Sequence, residues 1–328
     1  MNDFENAEIL EQVYFERYKN KVANDVLLLL EDANKKISNK IKQTSGIFTK
    51  KRYKEISAFI KECSKELKEY VDEEIEVEEI IDYVLEKQSN ILRDFGGLVD
   101  FTLPTTKQIM SGVLFKPIIP TKTYEAFLDT IDSQLYSVWD SAIRTGYITG
   151  QTTQQIVRDV LGSVAGIGKV IDYGTMQTLR NSIMANTRTA LQSFANATRN
   201  EIFIKNEKYF NGYRWVATLD RRSCLVCGNL DGKVFNKISD APEIPLHYNC
   251  RCLLIPIIDD LNWDDTRASE NGQVDSKLSF EEWLSEQTPI VQKDILGTSR
   301  FEMYKSGTSF NSFVADNRVL TLDELKNK

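Results

Sequence analysis

The chain has 328 residues, with 41 basic and 48 acidic side chains, one histidine and five cysteines. This length suggests about two domains, and 41% hydrophobic with 27% charged residues is ordinary for a globular protein rather than a disordered or membrane-spanning one. The single histidine, His247, excludes mechanisms that need two, such as that of the HExxH metalloproteases.

The amino-terminal sequence and the cysteine content predict a reducing compartment. The first residues are charged throughout and are unlike the apolar core of a secretory signal peptide. No apolar run approaches the roughly 20 residues that cross a bilayer, and an odd number of cysteines without such a signal favours metal binding over disulfide pairing. We therefore expect a protein that is made and used in a cytoplasm, or in something assembled there, with no membrane partner.

Residues 1–100 are predicted to form an N-terminal helical region. All seven prolines lie at or beyond Pro104, and few of the sixteen glycines precede residue 100. A segment almost free of helix breakers and rich in Glu, Lys, Leu and Ile favours long helices. We predict helices at about 4–45, 49–71 and 75–95.

Residues 101–210 are predicted to form a connector and a second helical region. Three prolines around a short apolar stretch indicate a connector over 98–122. A helix is predicted from 124 to about 147, and the capping box of Thr152 and Gln155 opens a short helix that Gly162 ends. The region from 174 to about 210 contains neither Gly nor Pro in its interior and is predicted to be one long helix.

At residue 211 the hydrophobic period changes to that of a strand. Tyr213, Trp215, Ala217 and Leu219 alternate with other side chains. A turn is predicted at 229–232, with short β segments at 234–235 and 251–257. These features predict a small α+β module over 211–258.

Residues 259–328 are predicted to form a C-terminal tail. An acidic run at 259–265 is interpreted as a solvated linker after the module. The rest is interpreted as short helices, because capping boxes begin at Ser279 and Thr321 and a Thr288–Pro289 pair precedes Gly297.

Five side chains within 29 positions point to a metal site. Cys224 and Cys227 form a CxxC pair, and a tight turn directs two such thiolates to one ion. His247, Cys250 and Cys252 follow, and supply the remaining tetrahedral positions. We predict zinc held by Cys224, Cys227, His247 and Cys250, with Cys252 as a substitute ligand or a neighbour. The alternatives are a set of reduced, buried cysteines or a redox CxxC pair.

The pattern favours a structural zinc site over a catalytic one. A catalytic zinc keeps three protein ligands and an open water position, whereas the candidates here exceed four and are mostly thiols. The residue two after His247 is Asn249, where zinc deaminases have their general acid/base Glu. The predicted fold is mainly α: long N-terminal helices and a central helical region lead into a small α+β zinc-binding module, followed by short C-terminal helices.

The motif string of the module resembles the phage Mu F-like minor head protein (head-morphogenesis) family. The similar segments are Tyr213–Asp220, the CxxC pair, Leu230–Phe235 and Pro245–Cys252. The helical lead-in and parts of the tail also resemble the family, so the likeness spans roughly 125–325. The first 120 residues carry none of its motifs.

The resemblance implies a structural protein of the virion without catalytic residues, cofactor-binding residues or a small-molecule substrate. Its expected partners are the portal protein and the major capsid or scaffold proteins, in head assembly and in DNA packaging or ejection. A further hypothesis is a protein that contacts DNA through residues 101–200, because this segment carries nine basic against six acidic side chains. The alternative from another class is a nuclease or cysteine hydrolase that uses His247 with Cys250 or Cys252.

Overall fold

A computed structural model describes residues 4–43, 50–95, 100–114, 116–165, 170–172, 174–258 and 266–327. The protein is mainly helical, as predicted. The first half contains α1 (Phe4–Lys42), α2 (Lys50–Glu74), α3 (Val77–Phe95), α4 (Thr106–Val113), β1 (Pro117–Ile119), β2 (Lys122–Thr123), α5 (Tyr124–Thr149), α6 (Thr153–Leu161), β3 (Ser163–Ala165) and β4 (Val170–Asp172). Among the described helices, none is both long and apolar enough to span a membrane.

The second half begins with a long helix and then alternates short strands and helices. In chain order these are α7 (Met176–Lys205), β5 (Tyr213–Val216), α8 (Leu225–Leu230), β6 (Val234–Phe235), β7 (Leu253–Pro256), β8 (Thr266–Ser269), β9 (Gly272–Asp275), α9 (Phe280–Glu286), α10 (Pro289–Leu296), α11 (Thr298–Lys305), β10 (Val314–Ala315), β11 (Arg318–Val319) and α12 (Leu322–Lys326).

The helices predicted for the first 210 residues are present. The predicted end of the first helix, at 44–45, lies outside the described residues, and the last is shorter than predicted because a 3₁₀ turn at Glu207–Tyr209 follows Lys205. The connector was predicted incompletely, since α4 and the β1–β2 pair form within it. A β3–β4 pair follows Gly162 and was also missed.

The three predicted capping boxes are all confirmed. The side chains of Thr152, Ser279 and Thr321 each accept a bond from the backbone N–H three residues on, and the Gln or Glu there bonds back. Each box satisfies amide groups that the first turn of a helix leaves unpaired.

The chain divides into two compact units. One contains Arg17–Ile80 and Gly112–Phe194. Within it, α2 packs along α5, and the buried Trp139 indole donates a 2.8 Å bond to the Asn34 side chain. Cys63, the cysteine outside the predicted metal cluster, lies buried on α2 in this unit.

The other unit contains Met1–Glu16, Ile81–Ser111 and Ala195–Lys328. Its centre is an antiparallel sheet in the order β6–β5–β7, in which Trp215 pairs with Leu254. As the alternation predicts, Tyr213, Trp215, Ala217 and Leu219 are buried. The sheet positions the loops that carry the candidate metal ligands.

The C-terminal region packs into the same core as this sheet. Phe280 and Trp283 of α9 and Phe310 and Phe313 further on are buried in it. The prediction of helices alone was wrong here, because β8 and β9 form a hairpin and β10 and β11 a second pair. The predicted acidic linker at 259–265 lies outside the described residues, and the four-part division of the chain stays a prediction.

Candidate metal centre

The CxxC pair lies at the start of the short helix α8. Cys224 is its N-cap residue, with extended backbone, and its Sγ accepts a 3.4 Å bond from the Cys227 backbone N–H. This capping geometry turns both sulfur atoms toward the same end of the helix. Leu225 and Val226, between the two cysteines, are buried in the core and anchor the turn. The predicted turn at 229–232 starts late, because Asn229 is still helical.

A turn brings the second group of candidates back to this point. The Cys250 backbone N–H donates to the His247 carbonyl at 3.1 Å, and Asn249 between them has φ 58°. Asn tolerates this left-handed conformation better than most residues. Leu253 then begins β7, which pairs with β5.

All five predicted ligands come together. His247 Nε2 lies 3.1 Å from Cys224 Sγ and 3.2 Å from Cys227 Sγ, and the Cys227 and Cys250 sulfurs are 4.0 Å apart. The ligand atoms form two trios that share Cys227, one with Cys224 and His247 and the other with Cys250 and Cys252, each within 4.8 Å. Ligand atoms around one tetrahedral zinc ion are separated by about 3.5–3.8 Å, given Zn–S of about 2.3 Å and Zn–N of about 2.0 Å. The donor types fit zinc, and the observed N–S separations of 3.1 and 3.2 Å and S–S separation of 4.0 Å lie on either side of this range.

The electrostatics of the cluster favour charged thiolate beside imidazolium. Hydrogen bonding with Cys227, followed by the contact with His247, lowers the pKa of Cys224 to about 4 against the opposing effect of burial. Hydrogen bonding with Cys224 raises the pKa of His247 to about 9, although burial opposes it. Hydrogen bonds with Cys224, Cys250 and Cys252 raise the pKa of Cys227. The cluster thus stabilises a thiolate, the protonation state in which cysteine binds metals.

The imidazole is oriented by its other nitrogen. His247 Nδ1 lies 2.8 Å from the Tyr248 carbonyl oxygen, a contact in which Nδ1 is the donor. In the neutral ring, a carbonyl that accepts from Nδ1 fixes the tautomer and leaves Nε2 as the ligand atom. Metal binding at Nε2 would therefore release the proton that the Cys224 thiolate otherwise stabilises there. The sequence did not predict this contact, because backbone carbonyls have no signal in the residue types.

An ion pair supports the loops on both sides of the cluster. The Arg251 guanidinium donates two bonds to the Asp220 carboxylate, at 2.5 and 2.7 Å. Burial raises the pKa of Asp220, but the bonds and charge of Arg251 outweigh it and hold the pKa below its usual value. The pair links the loop before Cys224 to the residue between Cys250 and Cys252. It was not predicted, although both residues belong to the motif string.

Gly228 is required by the packing of α8. A Cβ added there would lie 2.3 Å from Cδ1 of the Phe280 ring, which is fully buried. We expect Gly228→Ala to lower the free energy of unfolding by about 1–3 kcal/mol, as overpacked cores do. Chemical denaturation measures this change.

Gly112 supplies the matched control for that substitution. It also lies in a helix, and a Cβ there would meet nothing within 4 Å. Gly112→Ala is therefore expected to leave stability unchanged or to raise it by about 0.5–1 kcal/mol. Equal effects of the two substitutions would contradict the proposed packing of Phe280 on Gly228.

Comparison with known proteins supplies one match. Residues 138–255 match the family described as "Phage Mu protein F like protein". The matched segment runs from α5 to β7 and includes all five candidate ligands, and it confirms the resemblance predicted from the motif string. The predicted likeness of the tail lies outside it and stays a prediction. No curated protein and no solved structure gives a significant match.

Proposed function

We propose, from the match of residues 138–255 to the phage Mu protein F-like family, that this chain is a minor structural protein of a phage head. It acts in head morphogenesis, is made in the host cytoplasm and ends in the virion. Its partners are the portal protein and the major capsid or scaffold proteins. The family match is the observation that carries this proposal.

The centre at Cys224–Cys252 is proposed to hold a structural zinc ion. Five soft donors exceed the four that a closed tetrahedral site needs, and three of the thiols are buried. The cavity beside them has a volume of about 10 Å³, hardly room for one water molecule. Such a space suits an ion held by side chains, not a substrate.

The geometry gives little support to the enzymatic alternative. That hypothesis pairs His247 with Cys250 or Cys252, but the thiols in hydrogen-bond contact with Nε2 belong to Cys224 and Cys227. A hydrolase built on this pair would lose turnover on His247→Ala while the fold persists. For a structural ligand, the same substitution loses metal and fold together.

Particle composition tests the proposed function. Heads purified from cells that express the phage or prophage genes are analysed by quantitative mass spectrometry for this chain, with the major capsid protein as reference. We expect the chain in the particles at few copies per portal, and defective heads when its gene is deleted. Normal infectious heads that contain none of the chain would refute the proposal.

Salt-dependent DNA retention separates a role in ejection from a purely protein-binding role. The middle region carries a small basic surplus, and phosphate contacts weaken steeply as salt rises. Retention on duplex DNA at low salt that disappears at high salt supports a DNA contact. Absence of retention at low salt restricts the chain to protein partners.

A further inference from the structure

A cavity of about 490 Å³ lies within the unit that contains the sheet, separate from the cysteine centre. This volume is within the usual range of ligand sites, about 300–1,000 Å³. One wall is the start of α1, and the other is formed by the ends of β5 and β7 together with β8. The proposed head function does not use this cavity.

The interior of the cavity is largely apolar. On the α1 side, Ile9 and Val13 are four positions apart and therefore share one helix face. On the sheet side, Val216 and Leu253 pair across β5 and β7. Val13 remains 39% exposed and so leaves apolar surface open to a ligand. The cavity can therefore bury an apolar group from outside.

The charged residues that line the cavity are four arginines and three carboxylates: Arg221, Arg222, Arg251, Arg267, Glu16, Asp220 and Glu270. Arg221 is held by Glu270, with Nε 2.6 Å from the carboxylate, and Arg251 is held by Asp220. Arg222 differs, since its one ion pair among the described residues is with Asp220 at 3.5 Å, and its side chain is 75% exposed. Because Asp220 already accepts two bonds from Arg251, the Arg222 guanidinium has donors to offer a further anion.

We propose that this cavity binds an acidic peptide segment of a partner protein, with one apolar side chain in the cavity and a carboxylate on Arg222. Arg–carboxylate bonding beside an apolar pocket is a common way to anchor a peptide. Asp220 and Glu270 line the same cavity and are already bonded by arginines. A single peptide carboxylate needs only the donors of Arg222, whereas a continuous phosphate backbone would place further negative charges beside these two carboxylates. Peptide is therefore favoured over nucleic acid.

Fluorescence anisotropy with the full-length protein tests the proposal. The probes are two fluorescein-labelled mixtures of capped hexapeptides with Leu, Ile or Phe at one central position, one flanked by Asp and Glu and the other by Lys. We expect the acidic mixture to bind at least about tenfold more tightly than the Lys mixture. Arg222→Glu and, independently, Val13→Asp are expected to weaken that binding by about tenfold or more.

Lys233→Glu is the matched charge-reversal control, because Lys233 is exposed in the same unit and does not line the cavity. It should leave binding unchanged. Metal content and circular dichroism show whether each variant is folded. If Arg222→Glu is unfolded, the peptide binding of Val13→Asp tests the proposal instead. The proposal would be overturned if the two mixtures bind equally or if the acidic mixture does not bind. It would also be overturned if the two variants lose binding to duplex DNA but keep binding to the acidic mixture. Because the readout is peptide binding, its failure is distinct from failure of the particle test.

Discussion

Replacing Cys227 by alanine is expected to release the proposed zinc ion and unfold the region around α8. Cys227 belongs to both trios of ligand atoms, so its loss breaks both of them. Structural zinc in small modules contributes free energy on the order of 10 kcal/mol, which exceeds the total stability of many domains. The buried Cys227 also contacts the core that holds α9.

Two measurements check this expectation. Elemental analysis of the purified wild-type chain should give one zinc per molecule, and the variant much less. Limited proteolysis should cut the variant within 211–258, and a strong chelator should make the wild-type chain equally sensitive. The same variant should fail to enter phage heads.

Cys63→Ala is the matched control, because Cys63 is a buried cysteine on α2 in the other unit. It should keep full zinc content and show only the modest loss of stability that a smaller core side chain causes. A metal-free wild-type protein that a chelator leaves unchanged would contradict the zinc proposal. Cys252→Ser then identifies the fifth candidate: retained zinc assigns it the role of a neighbour, and lost zinc that of a ligand.

Much of the helical architecture was predictable because its signals are local. Periodic apolar residues and the absence of Pro and Gly predict α1–α3 and α7, and the capping boxes at Thr152, Ser279 and Thr321 are confirmed by their reciprocal bonds. The proximity of the five ligands was also predictable. Their rarity elsewhere in the chain marks them as a set.

The short elements were not predictable in the same way. Helix α8 has the sequence Leu-Val-Cys-Gly-Asn-Leu, which has little helical preference and depends on its Cys224 cap and on burial. The sequence of the β8–β9 hairpin contains one feature that predicts a turn, the Asn271–Gly272 pair. Its strands carry no clear alternation. Tertiary contacts therefore determine the secondary structure of these segments, and the sequence pattern alone does not predict it.

Asp231 shows the same limit for a single residue. From the sequence, Asp231 is predicted to be a turn residue before Gly232. In the structure its carboxylate accepts bonds from the backbone N–H groups of Ala217, at 2.8 Å, and Phe280, at 2.9 Å. Both guanidinium ends of Arg267 reach it at 3.1 Å. These partners lie 14 to 49 positions away, so no local pattern connects them.

Asp231→Ala is accordingly expected to destabilise the sheet unit by about 3–5 kcal/mol, the usual cost of removing one partner from a buried ion pair. The Asp231 side chain is 0% exposed and that of Arg267 is 4% exposed, so the remaining guanidinium would stay buried without its counter-charge. Two backbone N–H groups would lose their acceptor as well. Chemical denaturation monitored by tryptophan fluorescence measures the change, since Trp215 and Trp283 are buried in this core.

A double-mutant cycle separates the ion pair from the backbone bonds. Arg267→Met removes the charge while its chain keeps much of the apolar volume, so Asp231→Ala should cost less in that background. The residual cost then reports the bonds to Ala217 and Phe280. Asp294→Ala, at an exposed position of α10, is the control and should change stability by less than about 0.5 kcal/mol. If Asp231→Ala behaves like Asp294→Ala, the carboxylate does not connect β5, β8 and α9, and the C-terminal region must be held to the sheet by its apolar side chains alone.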